Sequence, residues 1–172
     1  MNKVCLVVVC VSAFSFGCNA GEPKPEFKAV ATTQDVMESI VAHPAQDIWN
    51  AVSISIDKEG THEHKPQNKE EWQEVGYAAR GLAESASLLL YEGRLEDRGD
   101  WEKYVKDMSA TAMEAAKAAD DQDPEALMVA GGNIYEACTK CHEAYLEKVQ
   151  LKRTGGKPEP PPKLPAPGVP TK

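Results

Sequence analysis

Residues Asp123 to Leu151 read DPEALMVAGGNIYEACTKCHEAYLEKVQL, and this stretch decides the fold. Asp123 before Pro124 is an N-cap followed by proline at the first helical position, the start signal of a helix expected to run to about Leu151. Leu127, Gly131, Ile134, Cys138, Cys141 and Tyr145 follow at spacings of 4, 3, 4, 3 and 4, one continuous apolar face. On that face lies Cys138-Thr139-Lys140-Cys141-His142, the c-type haem attachment motif, in which two thiols add to two vinyl groups and the imidazole binds iron. Residues three and four apart share a helix face, so Cys138, Cys141 and His142 point the same way.

Other chemistry for the two cysteines fits less well. A redox dithiol belongs at a helix N-terminus in a βαβ setting, where its thiolate is stabilised, and this pair is deep inside a helix. A disulfide between residues three apart on one helix is geometrically awkward, and a zinc site needs a fourth ligand from elsewhere. One covalently attached haem c is the reading that uses all three side chains.

Outward from this helix, three more segments show apolar spacing of helical period. The first opens at Thr32 with Asp35 as a capping box and carries Val36, Met37, Ile40 and Val41 on one face. Pro44 interrupts it: His43 is expected outside the helical region and the Ile40 carbonyl loses its donor, so the segment kinks or restarts, then resumes through Ile48, Trp49 and Val52. After a loop from Asp57 to Gln67, Asn68 and Glu71 signal a second helix, whose Trp72, Val75, Ala79, Leu82, Ala86 and Leu89 form a heptad seam. Beyond Gly93 and Gly99, Asp100 is the expected cap of a third helix with Trp101, Tyr104, Met108, Ala112, Ala115 and Ala119 inward. No alternating strands of useful length stand out. The expected fold is all-α, an antiparallel four-helix bundle enclosing the haem.

Four helices with a single CXXCH on the last one resemble the cytochrome c′ family, including its low-spin, six-coordinate relatives, over residues 32–151. The resemblance implies that the first helix supplies the group on the distal side of iron, here Met37; taken alone, Met37 reads as a core residue. It also implies pairing of two copies through the first two helices. Where the family often carries a basic residue four positions after the haem His, this chain has Leu146, with Lys148 nearby. Met108, Met113 and Met128 are weaker distal candidates, and His43 is weaker still. His62 and His64 form a His-X-His that could take up Zn or Cu, although exposed loop histidines are usually only solvated. The expected function is single-electron transfer by a non-enzymatic monohaem cytochrome. The alternatives are a five-coordinate NO- or CO-binding protein and a haem subunit of a larger complex.

The ends and the charge complete the reading. Residues 1–17 have the form of an export signal, Met-Asn-Lys followed by an apolar run. Ser15-Phe16-Gly17-Cys18 resembles a lipobox that would leave a lipid on Cys18; Cys18-Asn19-Ala20 is the alternative cleavage site. Residues 18–31 read as a tether, 32–151 as the haem domain, and 152–172, with seven of the twelve prolines, as an extended tail. The implied location is the periplasm or envelope of a bacterium, with a lipid as the only membrane contact. Segment 18–151 holds 26 acidic and 13 basic side chains, a charge of −13. That sign excludes nucleic acid and favours a redox partner with a basic docking face.

Overall fold

The structure is a computed structural model that describes residues 28–155. The expected signal segment, Cys18 and most of the tether and tail lie outside the described residues. Thr32 caps α1 (Thr33–Val36): its hydroxyl accepts the Asp35 N–H at 3.1 Å, and the Asp35 carboxylate accepts the Thr32 N–H at 2.9 Å. The helix then does not break at Pro44. It widens into a five-residue π turn, Met37–Val41, in which the Ala42 N–H donates to the Met37 carbonyl, and continues as α2 (Ala42–Ala51). A wider turn leaves room for a ring that would collide with the carbonyl four residues back, and it tolerates the missing N–H. His43, expected outside the helix, is helical and exposed. Ile40, expected inward, is 43% exposed, because the extra residue in the turn rotates it outward; the buried positions become Val36 and Val41.

α3 (Lys69–Ser85) starts where Asn68 accepts the Glu71 N–H at 2.9 Å, and it tightens into a 3₁₀ turn, Ala86–Leu90. Its six seam residues are all buried. α4 (Asp100–Asp120) is capped differently from the sequence expectation. Gly99 stands at the N-cap, and Asp97, not Asp100, accepts the N–H groups of Gly99 at 2.8 Å and Trp101 at 3.1 Å. Asp100 is already inside the helix, so its side chain cannot reach back to do this. α5 (Pro124–Thr154) begins on Asp123, which accepts from Glu125 and Ala126, and closes on Gly155 at φ 62°, three residues past the expected boundary. α3 packs on α4, α4 on α5, and α2 on both α3 and α5.

One region departs from the helical class. β1 (Ser53–Asp57) and β2 (Gly60–His64) pair antiparallel, Ser53 opposite His64. Asp57 makes the turn, its carboxylate accepting from Glu59 at 2.7 Å and Gly60 at 3.2 Å, and Gly60 at φ 134° occupies backbone space that a side chain would disfavour. The strands are exposed nearly throughout, so burial left no strong pattern to read. The Ser-Ile-Ser-Ile alternation was the signal available.

Candidate haem site

α5 supplies three of the expected groups. Cys138, Cys141 and His142 share its inner face and line a narrow, largely apolar cavity of about 170 Å³. Across it stand Met37 and Val41 from the π turn, Trp49 from α2, and Tyr104 and Met108 from α4. A wider cavity of about 810 Å³ adjoins it, and Met37, Glu38, Cys141 and His142 line both. The structure therefore brings Met37 and the attachment motif to the same cavities from different helical segments. Met108 also lines the narrow cavity, whereas Met113 and Met128 are 49% and 42% exposed and lie outside it.

Electrostatics keep this site neutral. Burial pushes the Cys138 thiol up to about 11, and burial followed by the neighbouring Cys138 does the same to Cys141. Desolvation lowers the pKa of His142, favouring the uncharged imidazole, which is the form that can bind a metal. Two thiols and one neutral imidazole in an apolar cleft are the groups that attachment of a c-type haem requires, and the Met37 thioether adds a candidate second iron ligand. The residues present fit the group.

Two further contacts fix the walls. The Trp49 indole N–H donates to the Gly131 carbonyl at 2.9 Å, and a Cβ on Gly131 would come within 3.3 Å of the Trp49 ring, so α2 meets α5 at a position where even a methyl group would be tight. One turn past His142, the Tyr145 hydroxyl donates to the same Asp97 that caps α4, and its ring meets Trp101 edge-on at 5.0 Å. That bond, then burial, pushes Tyr145 up to about 12, and Tyr145 is the first cause holding Asp97 below the usual carboxylate range. Sequence reading placed Tyr145 and Trp101 in the core but missed Asp97, because a cap two residues before a glycine N-cap does not follow the usual spacing. Glu38 was missed because only the π turn brings it to the cavity edge.

The remaining candidates lie elsewhere. Lys148, two residues past Leu146, faces Glu96 at 3.5 Å and the Tyr145 ring at 5.4 Å. His62 donates its Nε2–H to the Asp57 carboxylate at 3.1 Å on the hairpin, and among the described residues no three His, Cys, Asp or Glu side chains gather to hold a metal ion. No helix among the described residues is long and apolar enough to cross a membrane.

The site presents the three side chains of the c-type haem attachment motif on one cavity wall. Residues 94–146, from the buried Arg94 through the attachment motif, match the family model described as Cytochrome C′. No curated protein and no solved structure matches the chain.

Proposed function

We propose that the protein is a non-enzymatic, monohaem single-electron carrier, with one haem c held covalently by Cys138 and Cys141 inside an antiparallel four-helix bundle, His142 on one side of the iron and Met37 on the other. The observation that carries this reading is that Met37 and His142 line the same two cavities from different helices. Bound there, haem supplies a one-electron iron couple. His142 presents a neutral ring nitrogen, Met37 a soft thioether that favours the ferrous state, and Val41, Val105 and Met108 exclude water. With His142 and Met37 both holding the iron, the group would have no open position for a substrate.

Members of the family are typically periplasmic bacterial proteins. Cys18 would add a lipid anchor, and the acidic body would steer a basic redox partner at rates that fall with salt. Intact mass of the mature chain tests the anchor: the reading expects a diacylglyceryl cysteine at the N-terminus, and an unmodified start at Gly21 excludes it.

A second reading, a five-coordinate protein binding NO or CO, is favoured by the apolar lining of the narrow cavity on the Met37 side. The visible spectrum of the reduced protein with and without CO separates the two. Electron transfer expects a low-spin spectrum and slow CO binding, because the gas must first displace a bond to sulfur. A high-spin spectrum with unhindered CO binding gives the site to gas.

A further inference from the structure

We propose that Arg94 is a positioning residue that sets the wall carrying Met37, an inference that rests on Met37 as the distal ligand. Arg94 is 5% exposed. Its partners among the described residues are two backbone carbonyls and a ring: Nε donates to Ala31 at 3.1 Å, an Nη to Leu88 at 2.7 Å, and the guanidinium lies 5.7 Å from the centre of the Tyr91 ring. A cation buried without a carboxylate is unfavourable unless its bonds connect parts that would otherwise be loose. One carbonyl belongs to a residue that lines the site and the other to the neighbour of one. Ala31 immediately precedes Thr32, the cap of α1, and lines the wider cavity with Met37 and His142. Leu88 precedes Leu89, which lines the narrow cavity together with Met37.

The helix that carries Met37 needs such a tie. α1 has four residues and runs straight into the π turn, so its own ladder gives little rigidity. The Thr32–Asp35 capping box closes the first turn. Arg94 joins the residue before the α1 cap to the 3₁₀ turn after α3, and its planar fork holds the two acceptors in a fixed geometry that a flexible ammonium does not preset.

The test uses the full haem-loaded chain as wild type, Arg94→Met and Arg94→Lys, read by backbone hydrogen exchange and by the ferric visible spectrum. Arg94→Met should speed exchange across residues 36–41 at least about tenfold while α5 keeps its protection, and should add a high-spin population. Arg94→Lys should fall between the two. Unchanged exchange over 36–41, or acceleration spread evenly over α3, α4 and α5, overturns the inference and leaves Arg94 a general stability residue. A high-spin wild type defeats the Met37 reading itself, and the exchange pattern then decides the role of Arg94 alone. If Arg94→Met does not accumulate, Arg94→Lys against wild type carries the same comparison.

Discussion

The two walls of the cavity are built on different principles. On the α5 side, 31 residues form one unbroken helix, and the attachment motif needs nothing beyond helical spacing to face inward. On the opposite side, nineteen residues from Thr33 to Ala51 are divided among α1, a π turn and α2, and the direction of Met37 depends on a wide turn before a proline. One wall is dictated locally, while the other is set by tertiary contacts. Covalent attachment should therefore be robust, and the distal side should be the place where substitutions change chemistry.

The largest effect tests the local wall. Replacing Cys138 and Cys141 together by Ala removes both thioether positions, and covalent haem should disappear entirely. Acid-acetone extraction measures this: the wild type keeps its haem in the protein layer and the double variant does not. A wild type that releases haem into the organic layer would end the attachment reading.

The same contrast explains what was legible in the sequence. Asp123, Thr32 and Asn68 each cap the helix that follows them, and the 4-3-4-3-4 seam from Leu127 to Tyr145 faces inward, because capping and periodicity act over a few residues. Pro44 was misread because a proline in a helix has two outcomes, a break or a widened turn, and tertiary packing chooses between them. The hairpin was missed because exposed strands leave little apolar record, and the cap of α4 because Asp97 acts across a glycine. Met37 was placed by family resemblance, since a methionine on an apolar face has no chemical signature of its own.

Met37→Ala probes the tertiary wall. If its sulfur binds iron, the substitution should convert the haem towards high spin, lower the potential and remove the barrier to CO. If the side chain only packs, spin state will be the same before and after, and the loss will be confined to stability, about 2 kcal/mol for a half-buried methionine. Stopped-flow CO binding on both proteins distinguishes these results.

A smaller effect tests where the walls meet. Gly131 and Gly132 are neighbours on α5 with opposite surroundings. A methyl group on Gly131 would press on the Trp49 ring, which its own bond to the Gly131 carbonyl holds in place; nothing stands within 4 Å of the corresponding position on Gly132. Gly132→Ala should stabilise by about 0.5–1 kcal/mol through helix propensity. For Gly131→Ala the same gain is outweighed by overpacking of about 1–3 kcal/mol. Thermal unfolding of the pair should give shifts of opposite sign, and equal stabilisation of both would mean that α2 is free to move away from α5.

The smallest effect at neutral pH comes from the Tyr145–Asp97 bond, which ties the local wall to the start of α4. The folded protein holds the Tyr145 proton up to about 12, whereas the unfolded chain releases it near the ordinary tyrosine value of about 10. Between those values the folded state binds more protons than the unfolded state, so stability falls as pH rises through that window. Asp97 acts with the opposite sign. Its carboxyl is held below the usual range, first by Tyr145 and then by backbone N–H groups of Gly99 and Trp101, so its contribution is present above the ordinary aspartate value and is lost on further acidification. Tyr145→Phe should flatten the alkaline limb above about pH 10 and leave part of the acid limb, because the two N–H bonds to Asp97 survive. Asp97→Asn should weaken both. Denaturant unfolding across pH measures the slopes, and an alkaline limb that survives Tyr145→Phe would assign it to another group and loosen the proposed link between α5 and the cap of α4.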